Sequence, residues 1–383
     1  MSQQRSSSSS PPKREKEVME PRPSARFGES SHESVLSILL LSPTNQVLLL
    51  HRVKTSTSFA SAHVFPGGNL DPFHDGEIPP SDAQERHEDG HAYRLGAIRE
   101  CFEETGILLA TRKGSEDRST LINVPMADRE KARKQIHGGK LRFSEWVDSV
   151  GGVPDTGRLI PFTRWVTPTN VPKRFTTQMY IYMLPHSAST GADAAENEII
   201  VPTPDGGVEH TAAKFDDAWT WLYRADKGEI ILFPPQYCLL YLVSQFCKAA
   251  APSPAPGKGH GDAYFASQRR GLVDFLRRAP TAVSEAGRKQ PSSDIPWADK
   301  VMSPHNLFIR EGDNRIVLGL DKPGPELKGS GRGGDWERVV LVKFTRDGPR
   351  KVEVRGREEV LREEKEAKRA REAEEEGDER HKL

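Results

Sequence analysis

Nine consecutive residues, Arg99-Glu100-Cys101-Phe102-Glu103-Glu104-Thr105-Gly106-Ile107, gather the chemistry-bearing side chains of this 383-residue chain. On a helix turning about 100° per residue, with Glu100 as origin, Glu103 falls near roughly 300° and Glu104 near roughly 40°. Three carboxylates then share one arc, while Ile98, Cys101, Phe102 and Thr105 lie opposite, facing a core. Carboxylates so close repel one another unless a cation sits among them. Hard oxygen donors in that arrangement suit Mg²⁺ or Mn²⁺. Arg99, on the flank, is placed to hold one carboxylate by a charge-assisted hydrogen bond, and Gly106 to let the chain leave in a left-handed cap. A surface helix that is merely acidic is the plainer alternative. Chance, however, supplies only on the order of 10⁻⁵ to 10⁻⁴ such windows in a chain this long.

The flanking sequence must supply the elements that hold this helix, which the pattern places from about Arg94 to Leu109. Apolar runs from Val35 and from Val47, separated by Ser42-Pro43-Thr44-Asn45, read as a β-hairpin. Phe65-Pro66-Gly67-Gly68 follows, where two glycines permit a close backbone approach. Lys140 to Val150 and Pro235 to Cys247 read as helices. Leu159 to Val166, Thr176 to Leu184, Ala218 to Tyr223, Arg315 to Leu320, Val339 to Phe344 and Lys351 to Arg355 read as strands. Interleaved strands and helices predict a mixed α/β (α+β) class.

Composition bounds the rest. Lys+Arg 55 against Asp+Glu 55 leaves no net charge to steer the chain onto nucleic acid or an acidic membrane. Three scattered cysteines, Cys101, Cys238 and Cys247, form neither a disulfide framework nor a zinc site, and Cys101 reads as a small buried residue. No run reaches the roughly 18 apolar residues of a spanning helix. The expectation is a soluble intracellular protein, cytoplasmic by default, with peroxisome and mitochondrion as alternatives. His381-Lys382-Leu383 is a degenerate relative of a peroxisomal address.

Residues 1–34 form a Ser-rich segment expected to be disordered, and 248–262 a Pro/Gly/Ala linker or long loop. Residues 357–383 carry 8 basic and 11 acidic side chains and read as a solvated helix rather than a packed one. The expected domain spans 35–247, with 263–356 a C-terminal extension packed on it.

Arg99 to Ile107 and the upstream Gly68 resemble the box of the Nudix hydrolases, G-x5-E-x7-R-E-U-x-E-E-x-G-U. The family places its Arg 14 residues after the Gly; here the interval from Gly68 to Arg99 is 31, so about residues 72–93 are an insertion. Asp71, Glu77 and Glu85 are the candidates for the box's first acid. Leu48-Leu-Leu-His-Arg52, the stretch Phe59 to Asp71, Leu159 to Pro168, Lys173 to Tyr180, Ala218-Trp219 and Gly228 to Pro235 look like the acyl-CoA diphosphatase branch, whose box is also split.

The resemblance implies a Nudix fold, a twisted mixed sheet between helices, with Glu100, Glu103, Glu104 and the Gly68 carbonyl binding Mg²⁺ or Mn²⁺. It implies cleavage of a nucleoside diphosphate derivative, with CoA or acyl-CoA first. Other nucleotide pyrophosphatases and a non-catalytic nucleotide-binding module are the alternatives. Glu103 and Arg99 are the catalytic candidates, and Glu209, with Asp205 beside it, is the candidate general base. Arg164, with Trp165, and Lys173 and Arg174 are candidate substrate contacts; a solvated or core role is the alternative for each. His74, His87 and His91 read as loop histidines rather than a metal cluster. The expected partner is a small-molecule diphosphate, with no membrane span and no strong nucleic-acid signal; protein partners of the charged tail stay open.

Overall fold

The computed structural model describes residues 33–53, 61–80, 83–116, 120–169, 173–185, 202–203, 210–248 and 262–381. In chain order the strands are β1 (Glu33–Leu41), β2 (Val47–Arg52), β3 (His63–Val64), β4 (Gly67–Asn69), β5 (Ala110–Arg112), β6 (Gly152–Pro154), β7 (Ile160–Val166) and β8 (Phe175–Met183). They continue with β9 (His210–Asp216), β10 (Val301–Met302), β11 (His305–Ile309), β12 (Ile316–Leu320), β13 (Asp335–Thr345) and β14 (Gly348–Gly356). The helices are α1 (Pro72–Asp75), α2 (His91–Thr105), α3 (Met126–His137), α4 (Phe143–Ser149), α5 (Ala218–Asp226), α6 (Pro234–Ser244), α7 (Asp262–Arg277), α8 (Glu285–Arg288) and α9 (Arg357–His381). The class is mixed α/β, as the interleaved pattern predicts.

An eight-stranded sheet runs β10-β7-β8-β1-β2-β3, with β4 on β1 and β9 on β2. β1 and β8 pair in parallel from Glu33↔Phe175 to Leu41↔Met183, and β10 joins β7 in parallel; the other pairings are antiparallel. β11 to β14 make a separate four-stranded antiparallel sheet.

The apolar run of β1 has no polar face because both of its faces are covered. Leu36, Ile38 and Leu40 point into a core shared with α2, α3, α4, Tyr180 and Tyr182. Leu39 and Leu41 point the other way, with Val47, Leu49, Trp221, Leu239, Phe275 and Trp297. That second core continues into Leu318, Leu320, Val340, Val342, Val352 and Val354 of the C-terminal sheet. One hydrophobic layer therefore joins the two sheets. Arg269 pins α7 to one end of the eight-stranded sheet: its guanidinium donates to the Asn45 side chain and to the Leu184 and Ser42 carbonyls, each at 2.7 Å.

Several expectations from sequence need correction. Ala218 to Tyr223 is helical, not a strand, because Ala218, Trp221 and Leu222 recur at helical spacing and bury together while Trp219 and Tyr223 face solvent. α3, α7 and β9 have no counterpart among the elements read from sequence. The tail helix is packed at its start: Val360 is 1% exposed and joins Val317, Val339 and Leu341. Among the described residues, no helix is long and apolar enough to cross a membrane.

Candidate active site

α2 starts at His91 and ends at Thr105, earlier at both ends than the pattern predicts. Gly106, at φ 73°, makes the left-handed exit and donates its N–H to the Phe102 carbonyl. The helix is not divided into a core face and an open acidic face. Glu100, Glu103 and Glu104 are 5–7% exposed and Arg99 is fully buried. Arg99 accounts for this arrangement. Its Nε donates to Asp75 Oδ1 (2.8 Å) and its Nη2 to Asp75 Oδ2 (2.8 Å) and the Asn69 carbonyl (3.0 Å). Its Nη1 donates to Glu100 Oε1 (2.7 Å) and Glu103 Oε1 (2.9 Å). All five N–H groups of the guanidinium thus find acceptors. Burial lowers the Arg99 pKa, but Glu100, Asp75 and Glu103 together raise it well above its ordinary value, so the charge is permanent.

The acid that the insertion supplies to Arg99 is therefore Asp75, not Asp71, Glu77 or Glu85. Asp75 stands seven residues after Gly68, one more than the box's spacing, so its position was legible in the sequence and the three candidates were the poorer matches. The short helix α1, opened by the Asp71 side chain capping Phe73 N–H and by Pro72, delivers it.

Gly67 and Gly68 close the site from β4. Gly67 N–H donates to Glu104 Oε2 at 2.7 Å. A Cβ on Gly68 would stand 2.6 Å from the Glu100 carboxyl carbon, so a side chain here would fill the place that the carboxylate occupies. His210 of β9, fully buried, brings Nε2 to 3.6 Å from Glu104 Oε1. From α3, His137 Nδ1 lies 3.2 Å from Glu103 Oε2, and Arg133 donates from Nε and Nη2 to the Glu103 carbonyl. Arg129 donates to the Gly106 carbonyl at 3.0 Å. These arginines occupy the orphan carbonyls at the C-terminus of α2, where positive charge is favoured.

The structure thus brings together Arg99, Glu100, Glu103, Glu104 and the Gly67-Gly68 backbone. Among the described residues, it does not bring Arg164, Trp165, Lys173 or Arg174 to them. Arg164 is buried beneath the insertion, 4.9 Å over the Tyr93 ring, and donates to the Arg86 carbonyl at 3.4 Å; burial lowers its pKa. Trp165 is a core residue. Lys173 pairs with Glu33 at 3.5 Å, and Arg174 with Glu326. Glu209 and Asp205 lie outside the described residues. Thr203, which is described, donates its N–H to the Thr105 carbonyl at 2.8 Å, at the end of α2. Burial pushes the Cys101 thiol up to about 12, leaving it unreactive.

Sequence reading missed His137, Arg133 and Arg129. The signal was available, since the three recur at intervals of four on α3 and so form one basic stripe. His74, His87 and His91 assemble no metal cluster: among the described residues no group of three or more His, Cys, Asp or Glu stands ready to hold an ion. For the acids of α2, Arg99 Nη1 lies between Glu100 and Glu103 and keeps their oxygens on its own hydrogen bonds. The donor chemistry nevertheless fits a hard divalent cation: several buried carboxylates crowd one guanidinium beside a glycine backbone that leaves them space.

Residues 79–230 match the family model described as the NUDT19 Nudix domain. A putative nudix hydrolase 7 from Caenorhabditis elegans is 31% identical over 156 residues, 40% of this chain and 45% of that protein. The acyl-coenzyme A diphosphatase NUDT19 of Gallus gallus is 26% identical over 248 residues, 52% of this chain and 61% of that one. The chain thus spans about half the length of these curated relatives. Among solved structures, a NUDIX hydrolase from Alicyclobacillus acidocaldarius covers 56% of this chain and 92% of its own, at 23% identity and a TM-score of 0.43.

Proposed function

We propose that the chain, whose residues 79–230 are a Nudix domain resembling the acyl-CoA diphosphatase branch, hydrolyses the diphosphate bond of a nucleoside diphosphate derivative. One observation carries the reading: Glu100, Glu103 and Glu104 are gathered against the Gly67-Gly68 backbone and organised by the buried Arg99. Glu100, Glu103, Glu104 and the Gly68 carbonyl would hold Mg²⁺ or Mn²⁺, which would supply charge neutralisation on the diphosphate and a nucleophilic water at neutral pH. The chain's own residues do the rest. Arg99 orients Glu100 and Glu103 with no freedom left in its guanidinium, so the acids need no reorganisation when substrate arrives. Gly67 N–H fixes Glu104. Glu209 is the proposed general base, with Asp205 its alternative.

CoA or an acyl-CoA is the first substrate, giving 3′,5′-ADP and phosphopantetheine or its acyl ester. The support is the likeness, at 26% identity, to proteins named acyl-coenzyme A diphosphatase. In this reading Arg164, Lys173 and Arg174 reach substrate only if their present partners Arg86, Glu33 and Glu326 yield them.

The test is hydrolysis of a panel (CoA, acyl-CoA, NADH, ADP-ribose, capped RNA) by the purified chain with Mg²⁺ or Mn²⁺, and with EDTA. Metal-dependent release of 3′,5′-ADP is expected, and EDTA abolishes it. Glu103→Gln and Glu104→Gln each lower kcat by about 100-fold or more while the fold survives. Absence of metal-dependent turnover on every member sinks the enzyme reading; turnover that spares CoA sinks only the substrate.

A further inference from the structure

We infer that His137 is a positioning residue for Glu103, holding one carboxylate oxygen while Arg99 holds the other. The inference rests on the diphosphatase reading, in which Glu103 is a metal-binding acid. Glu103 is tethered at three atoms by two helices. Arg99 Nη1 donates to Oε1 at 2.9 Å, His137 Nδ1 lies 3.2 Å from Oε2, and Arg133 donates twice to the main-chain carbonyl at 3.1 and 2.8 Å. The His137 and Glu103 side chains are 11% and 2% exposed, so water competes little for this contact. A carboxylate oxygen only accepts, so the imidazole must carry a proton on Nδ1. Its Nε2 is buried and has no hydrogen-bond partner among the described residues. Among the described residues the ring's one hydrogen-bond partner is Glu103.

The placement follows from α3. Arg129, Arg133 and His137, four residues apart, present three successive donors along the C-terminal half of α2: to the Gly106 carbonyl, the Glu103 carbonyl and the Glu103 carboxylate. The first two fix the helix axes, and the third transfers that rigidity to a side chain of the site. A carboxylate held at one oxygen can rotate about its last torsion. Held at both, it keeps the plane in which its remaining lone pairs point, and groups of this kind outside the ligand set typically tune metal affinity or activity by about 10–100-fold.

The experiment uses the full chain as wild type, His137→Ala and His137→Asn, where Asn keeps an N–H near the Nδ1 position. Free Mn²⁺ is titrated by electron paramagnetic resonance, kcat and KM are measured on the panel's best substrate, and ring ¹⁵N shifts are recorded without metal. His137→Ala is expected to weaken Mn²⁺ binding by about tenfold and lower kcat by a similar factor, with KM changed less than about twofold. His137→Asn is expected to regain most of both losses. A wild-type resonance lost in both variants is expected to report a ring protonated on Nδ1. Unchanged Mn²⁺ affinity and kcat in His137→Ala, equal damage in His137→Asn, or a ring protonated on Nε2 alone each overturn the positioning role. A wild-type chain that binds no Mn²⁺ and cleaves no substrate overturns the diphosphatase reading instead, and the ring tautomer then decides the His137–Glu103 contact separately.

Discussion

Two helices of this chain carry the same residue types in similar order and come to opposite ends. α2 contains Arg99-Glu100 and Glu103-Glu104; α9 contains Arg357-Glu358-Glu359 and Arg362-Glu363-Glu364. In α2 the three acids and the arginine are buried, and the guanidinium is saturated by Asp75, Glu100, Glu103 and the Asn69 carbonyl. In α9 Arg357 and Glu364 are buried where the helix docks, but Glu359 and Glu363 are 48% and 33% exposed and pair with Arg355, which stands on β14. Hydrogen bonds to Glu363 and Glu359 raise the Arg355 pKa, and those from Arg355 lower that of Glu363, yet solvent screens both charges. Charge on a helix is therefore no guide to its worth. What matters is whether a second and third element close over it.

Breaking α2 should have the largest effect. Arg99→Met leaves Asp75, Glu100 and Glu103 buried without their guanidinium and should cost about 3–5 kcal/mol, read from the shift of the urea midpoint. Adding Asp75→Asn to Arg99→Met should recover part of that cost, because removing both partners strands less charge than removing one. Equal stability of wild type and Arg99→Met would show that the cluster contributes nothing to the fold.

The docked start of α9 should rank second. Val360→Asp puts a carboxylate against Val317, Val339 and Leu341 and should cost about 2–3 kcal/mol, with loss of helical signal from the tail. An unchanged circular dichroism spectrum and melting temperature would mean that the tail does not dock through Val360. The smallest effect belongs to the partly exposed pairs: Arg355→Ala should change stability by less than about 1 kcal/mol at neutral pH. Because the Glu363 pKa is lowered in the fold, that contribution is present while Glu363 is ionised and disappears as acid protonates it. A loss above about 2 kcal/mol that persists in high salt would erase the contrast between the two helices.

Much of this was legible in the residue order. The apolar runs of β1 and β2, the Gly106 exit, the strand pairs of the C-terminal sheet and the carboxylate triad are local patterns, and local patterns survive without knowledge of the fold. Ala218 to Tyr223 was misread because six residues rich in aromatics satisfy both strand and helix periods. Only the burial of Trp221 and Leu222 against the sheet separates the two.

The sequence by itself determined that three acids and an arginine share a helix ending at a left-handed glycine, since 3.6 residues per turn sets that geometry whatever surrounds it. Tertiary structure decided the rest. It chose Asp75 rather than Asp71, Glu77 or Glu85 as the partner of Arg99, brought His137 and Arg133 onto Glu103, and buried an acidic face that periodicity left open. The physical reason is that a guanidinium's partners and a carboxylate's burial depend on which distant segments cover them. No spacing along one helix encodes that.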